Sequence, residues 1–260
     1  HPQHVAPLAP LGRDVLRVSV VRLPRLSNWT DVDALRSEPG VVVRFATTPA
    51  ELADADLVVL PGSRATVADL GWLRARGLAG ILVTRAAEGR PVLGICGGYQ
   101  MLGDTIRDDV ESRAGEVAGL GLLPVRTEFG ADKVLARPTG SYGDHEVTTA
   151  YEIHHGRITV QGGAPLFSPE EGCRVGAVLG TVWHGALESD GVRRELLAEV
   201  AAAAGRSWVP GDTSFAAVRQ ARLDALGDLV ADHLDTDAVL RLIEHGAPPA
   251  LPFVPPGAPG

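Results

Sequence analysis

Cys96 closes the run Val92-Leu93-Gly94-Ile95-Cys96, and Gly97, Gly98, Tyr99 and Gln100 follow it. Residues 91–95 read as a buried strand of a parallel sheet. A helix is expected to begin near Tyr99, which leaves a sharp turn at the two glycines. A nucleophile on such an elbow stands at the carboxyl edge of the sheet, where the next backbone N–H groups can hold an oxyanion. A helix N-terminus also favours thiolate over thiol. The pattern therefore points to covalent catalysis through sulfur. A small Cys filling core space is the competing reading.

A nucleophile of this kind needs a base. His184 ends an apolar run, 175–182, that reads as a strand pair or a bent strand, and Gly185 follows. Such groups are brought together by geometry and not by spacing; a satisfied surface His is the alternative. The turn Leu60-Pro61-Gly62-Ser63 closes another expected strand, so an N–H at Gly62 or Ser63 can face Cys96 together with that of Gly97. A plain βα turn fits equally well. Tyr99 and Gln100 either shape a substrate pocket or pack the helix. His154 and His155 invite a metal reading, but adjacent strand residues face opposite ways. No His, Asp or Glu set at ligand spacing accompanies them, and no metal is expected.

The elements that must position these groups alternate through the first hundred residues. Residues 15–21, 40–45, 55–60, 80–83 and 91–95 read as strands. Thr48-Pro49-Ala50-Glu51 reads as a helix start, and 65–76 as a helix. This alternation predicts an α/β fold with a doubly wound, mostly parallel sheet. The polar loop 22–31 carries Arg22, Arg25 and Asn28 where such a sheet presents a ligand loop, and Thr30 or Asp31 is placed to cap a short helix through Leu35. Beyond the elbow, 115–121 is turn-rich, and 122–129, 145–149 and 153–160 read as strands of an antiparallel extension. Residues 133–144 read as a mobile loop. Helices are expected at 192–204, 213–234 and 236–244, as packing elements of the same domain. The expected organisation is a linker or arm at 1–14, one domain at 15–245 and a Pro-rich disordered tail at 246–260.

Composition narrows the function. The chain has 260 residues, is 45% hydrophobic and carries a formal charge of −8, which gives no support to a nucleic-acid surface. Two cysteines are too few for a Cys-rich zinc site or a disulfide scaffold. No signal peptide or membrane-crossing run is evident, so a cytoplasmic location is expected. The chain opens on His1 and not on Met, which suggests a piece of a longer product.

Gly94-Ile95-Cys96-Gly97-Gly98-Tyr99-Gln100 together with Thr181-Val182-Trp183-His184-Gly185 resembles class I glutamine amidotransferases, in the branch acting on corrinoids. Residues 21–31, Leu60-Pro61-Gly62-Ser63, Thr66-Val67-Ala68-Asp69-Leu70, Tyr151-Glu152-Ile153-His154 and the pattern over 224–242 are similar to the cobyric acid synthase family. The resemblance covers about 15–245 and implies a flavodoxin-like fold. It further implies that Cys96 attacks the glutamine side-chain carbonyl while His184 sustains the thiolate and protonates departing ammonia. Many class I members carry Glu two residues after the His; this chain has Ala186, a departure the corrinoid branch shares. Glu152, Glu188 or a backbone carbonyl is left to orient His184. The resemblance gives Glu152 and His154 to domain coupling or substrate contact, and Arg22, Arg25 and Asn28 to a domain junction or acceptor carboxylates. It implies no cofactor for this chain. ATP and Mg²⁺ belong to an absent N-terminal synthetase domain or ligase subunit acting on a corrinoid acceptor, and this sequence has no GxxxxGK[ST] loop. The alternatives are a glutaminase subunit serving a peptidoglycan-precursor (lipid II) ligase, or a silent scaffold. No nucleic-acid or membrane partner is expected.

Overall fold

The computed structural model describes residues 8–250; the expected arm at 1–14 and tail at 246–260 lie in part outside the described residues. The chain forms two compact units, one running through Phe215 and the other from Ala216 onward.

The first unit is built on a six-stranded sheet. Its strands are β1 (Leu16–Val21), β2 (Val41–Ala46), β3 (Leu57–Leu60), β4 (Val92–Ile95), β11 (Cys173–Val175) and β12 (Val178–Thr181), in the order β11-β12-β4-β3-β1-β2. All neighbours are parallel except β11 and β12, which form an antiparallel pair. Strands buried on both faces need continuous apolar sequence, and β3 and β4 meet that requirement. Along β3, Leu57 and Val59 enter one core while Val58 and Leu60 enter the other, the period-two alternation of a pleated strand. Helices α1 (Pro49–Ala53), α2 (Thr66–Ala75) and α3 (Leu78–Ala87) lie between the early strands in sequence, α4 (Gly97–Leu102) follows β4, and α5 (Asp190–Ala203) follows β12. The Thr48/Glu51 capping box starts α1.

Four expectations change. Residues 80–83 are not a strand but the middle of α3. Strands β3 and β4 pair directly, leaving no place between them, and the run buries Leu78, Leu82 and Arg85 at helical spacing while Val83 is exposed. The 133–144 loop is likewise cut short, to residues 137–139 and the turn at 143–144. Strand β7 (Val125–Ala136) continues past Lys133 because β10 (Glu152–Val160) pairs with residues 125–129 and again with 134–136, on either side of an irregularity between His154 and Gly156. The hairpin of β8 (Gly140–Tyr142) and β9 (His145–Val147) follows. With β5 (Thr105–Asp108) and β6 (Gly115–Ala118), β7 and β10 complete a second sheet in the order β10-β7-β5-β6. The β5/β7 pair is parallel, so the extension is mixed and not purely antiparallel. It also draws part of the turn-rich 115–121 passage into a strand.

The second unit is described by itself. It holds most of α6 (Phe215–His233) and all of α7 (Thr236–His245). Of the stripe expected to pack, Leu226, Leu229, Val230 and Leu234 are exposed. Among the described residues no helix is long and apolar enough to cross a membrane.

Candidate active site

Cys96 sits between β4 and α4 with φ +51° and ψ −109°, a strained conformation for a residue with a side chain. Two glycines permit it. A Cβ on Gly94 would lie 2.8 Å from the Tyr99 nitrogen, and one on Gly98 would lie 1.8 Å from the Leu60 carbonyl oxygen. The start of the helix is thus pressed against β3 and β4, and only hydrogen fits at those positions. The Cys96 N–H donates to the Thr181 carbonyl at 2.7 Å, tying the elbow to β12. Cys96 is buried, at 6% exposure.

Three residues beyond the end of β12, His184 arrives beside it. Glu171 accepts hydrogen bonds from the Thr181 hydroxyl and the Val182 N–H, which fixes the strand end; burial pushes its carboxyl up to about 7. The His184 and Tyr151 backbones exchange two hydrogen bonds, of 2.9 and 3.0 Å. The imidazole Nδ1 meets Asp31 Oδ2 at 2.7 Å, and the Gly185 N–H donates to Asp31 Oδ1 at 3.0 Å. Cys96 lies near enough to the imidazole to act on its protonation. Burial draws the His184 pKa down, but the Asp31 hydrogen bond and the charges of Asp31 and Cys96 outweigh it and push the imidazole up to about 10. Asp31 and His184 are 3% and 1% exposed, so little solvent screens the pair.

The Leu60-Pro61-Gly62-Ser63 turn lies against this group. A Cβ on Gly62 would stand 3.2 Å from His184 Cε1, and one on Gly97 would stand 2.8 Å from the Ser63 nitrogen. The Ser63 N–H is therefore next to the elbow. Gly97, the first residue of α4, has an N–H that no carbonyl of its own helix can take. Ser63 is held by its hydroxyl, which donates to Asp69 at 2.6 Å; Asp69 also accepts the Arg25 N–H at 3.2 Å. The 22–31 loop and the turn are joined again by Ser27 N to Gly62 O and Arg64 N to Arg25 O.

Cys96 opens into a cleft of about 320 Å³ whose walls include Ser63, Thr66, Gln100, Phe129 and His154. Its charged lining consists of Arg64, Lys133 and Glu111. The carboxyl ends of three parallel strands, β1, β3 and β4, lead into loops that line it, the usual place for a ligand in an open α/β sheet, and β7 and β10 of the second sheet supply Phe129, Lys133, Ile153, His154 and His155.

Residues 17–192 match the model of the CobB/CobQ-like glutamine amidotransferase domain. The chain belongs to that family. It is 63% identical over 253 residues to a cobyric acid synthase of Streptomyces avermitilis, covering 96% of this chain and 49% of that protein. It is 65% identical over 249 residues to the one of Frankia casuarinae, covering 95% and 48%. The chain thus spans about half the length of the curated relatives it matches. Two solved structures share the fold at low identity. One is a glutamine amidotransferase (18% identical, TM-score 0.55, 71% of this chain and 98% of that one). The other is PurLQS from Thermotoga maritima (16% identical, TM-score 0.54, 72% and 99%).

Within this amidotransferase fold the structure sorts the expected site residues. Cys96, His184, Gly62, Ser63 and Gly97 come together. Gln100 joins them on the cleft wall, where its Oε1 accepts from the Thr66 hydroxyl at 3.3 Å. Tyr99 does not: its ring packs under β12, where a Cβ on Gly180 would overlap it, and it is 1% exposed. The orienter of His184 is none of the groups expected. Glu152 is taken up by Trp183 Nε1 at 2.9 Å and His154 Nε2 at 3.3 Å, and Glu188 ends the short 3-10 turn Ala186–Glu188. Asp31 holds that place instead. It caps nothing; the 3-10 turn Trp29–Val32 starts after Asn28, and Asp31 turns inward. Asn28 lies on the cleft wall and donates to the Tyr151 hydroxyl at 2.7 Å. Arg22 and Arg25 are exposed and outside the cleft lining. His154 lines the cleft, with its Nδ1 on the Gly156 carbonyl at 2.8 Å. Asp31, Tyr151, Arg64, Lys133 and Glu111 escaped the sequence reading. The one local signal for Asp31 was an acid in a polar loop at the carboxyl edge of the first strand. Among the described residues, no group of three or more His, Cys, Asp or Glu side chains is placed to hold a metal ion.

Proposed function

We propose that this chain hydrolyses glutamine to glutamate and ammonia through Cys96, with His184 and Asp31 completing the site. The observation that carries the reading is the buried Asp31–His184–Cys96 series at the mouth of a cleft, on a nucleophile elbow, in a chain of this family. An imidazolium raised to about 10 keeps its proton near neutrality and stands beside sulfur as its counter-ion. Sulfur adds to the amide carbonyl, and the resulting oxyanion faces the Gly97 and Ser63 N–H groups. Such donors are worth about 3 kcal/mol each in a transition state. His184 hands its proton to the departing nitrogen, ammonia leaves, and a thioester remains. The same imidazole, now neutral, takes a proton from water as the water attacks, and glutamate is released. Arg64, Lys133 and Glu111 supply both signs of charge for the zwitterionic end of an amino acid. Gly62, with no side chain, leaves the imidazole room.

By similarity to the cobyric acid synthases, the ammonia goes to an ATP- and Mg²⁺-dependent half that amidates carboxylates of adenosylcobyrinic acid a,c-diamide. ATP, Mg²⁺ and the corrinoid belong to that half in this proposal, and no residue of the present chain is assigned to them. We place the reaction in the reducing cytoplasm, where the free thiols Cys96 and Cys173 persist. The test is glutamate release by this chain alone and with a synthetase half from a relative, beside a Cys96→Ala variant. Turnover abolished by the substitution supports the reading. A chain inactive with the synthetase half present, its Cys96 inert to a glutamine-like electrophile, overturns it.

A further inference from the structure

The Asp31 contact restrains the His184 ring at one edge only; rotation about the remaining bonds is limited by what lies on its faces. One face is covered by Tyr151, whose ring centroid lies 5.2 Å from that of the imidazole with the planes inclined by 26°. Tyr151 is itself fixed at both ends. Its backbone exchanges two hydrogen bonds with His184, and its hydroxyl accepts the Asn28 Nδ2–H at 2.7 Å. Asn28 has φ +51° and ψ +41°, a left-handed conformation that Asn tolerates better than most residues. Three residues further on, the same turn sends in Asp31. Gly185, at φ +70°, completes the packing: a Cβ there would lie 2.7 Å from the Thr149 carbonyl oxygen and 3.4 Å from the Tyr151 ring.

We propose that Tyr151 is a positioning residue for His184, and that the 28–31 turn holds the imidazole twice, at its edge through Asp31 and at its face through Asn28 and Tyr151. The inference rests on the glutaminase reading for its kinetic consequences, though not for the geometry. Two physical effects favour it. A protonated imidazole over an aromatic face gains from the ring quadrupole, and this gain is largest in the charged form that must stand beside the thiolate. A stacked ring also removes the tilting freedom that a single edge hydrogen bond leaves. The arrangement implies that displacement of the 28–31 turn loosens both restraints together, so whatever orders this turn also orders the base.

The experiment compares Tyr151→Phe, Tyr151→Leu, Asn28→Ala and the Asn28→Ala/Tyr151→Phe double variant in two readouts. The first is kcat and KM for glutamate release. Misplacing a reacting group by about 1 Å costs on the order of a hundredfold, so Tyr151→Leu is expected to lower kcat by about that factor with KM nearly unchanged. Tyr151→Phe keeps the ring and loses only the anchor, so it restores most of that loss. Asn28→Ala should match Tyr151→Phe, and the double variant should be no worse than either single change, because both remove one bond. The second readout needs no turnover: the ¹H and ¹⁵N imidazole signals of His184 in the folded chain. Tyr151→Leu should shift them by loss of the ring current and broaden them, whereas Tyr151→Phe should leave the ring-current shift in place. The proposal is overturned by unbroadened His184 signals in Tyr151→Leu, by a KM that rises in step with falling kcat, or by losses that multiply in the double variant. Failure of the glutaminase reading shows differently: wild-type chain releases no glutamate even with the synthetase half present, while the His184 signals still report on Tyr151.

Discussion

Replacing Asp31 by Asn separates charge from shape at the base of the site. The wild-type carboxylate accepts two hydrogen bonds, from His184 Nδ1 at 2.7 Å and from the Gly185 N–H at 3.0 Å. An Asn side chain has one carbonyl oxygen and one NH₂, so it can serve only one of these donors. If its oxygen takes Gly185, its NH₂ faces Nδ1 and moves the ring proton to the other nitrogen. That tautomer cannot accept a proton from Cys96. The loss of a buried hydrogen bond to a charged group, about 1.5–3 kcal/mol, then adds to the tautomer penalty. We expect kcat for glutamate release to fall by at least about a hundredfold, with KM little changed. Stability carries a second signature. The His184 pKa is raised in the folded state, from 6.5 to about 10. Its contribution is therefore fully present below the unfolded value and lost as pH rises through about 10, at about 1.4 kcal/mol per unit. In Asp31→Asn the decline of stability with pH across that window should flatten, as read by urea melts at several pH values. A variant that keeps kcat to within about threefold, a difference under 1 kcal/mol, would refute the reasoning.

Three further outcomes are expected. A glutamine-like electrophile should label Cys96 much faster than Cys173, because burial pushes the Cys173 thiol up and its Sγ–H is committed to the Gly162 carbonyl at 3.3 Å; equal rates, read by peptide mass mapping, would count against a reactive Cys96. Gly98→Ala should destabilise the fold by several kcal/mol and lower the melting temperature by more than about 10 °C, since its Cβ would lie 1.8 Å from the Leu60 carbonyl oxygen and neither backbone can yield. Glu152→Gln and Glu188→Gln should each leave kcat within about threefold of wild type, because Asp31 already occupies His184 Nδ1; a hundredfold loss in either would restore that residue as the orienter.

The parts of the site legible in the sequence were those set by neighbours along the chain. An apolar run ending in Gly-x-Cys-Gly-Gly specifies a strand, a strained turn and a helix start whatever the rest of the molecule does. The parallel-sheet core followed from the same local logic, since strands buried on both faces must be apolar throughout. Where a segment's partner is remote, local pattern misled. The 133–144 stretch is rich in turn-forming residues, yet β10 pairs with residues 134–136 and makes its start a strand. Residues 80–83 have strand-like composition, but β3 and β4 leave no position between them. Asp31 reads locally as a helix cap; only the adjacency of β1, β3, β4 and β12 brings it within 2.7 Å of a His that lies 153 residues away in sequence. Tyr151 came to the face of that His through a bridge between two backbone segments remote from each other and from the elbow in sequence. The sequence by itself pointed to Cys96, its elbow and His184 as the groups of a candidate site, because residue type and local backbone carry that signal. The tertiary structure alone decided what orients the base, because a hydrogen bond between distant loops is fixed by strand order and leaves no periodic trace in either loop.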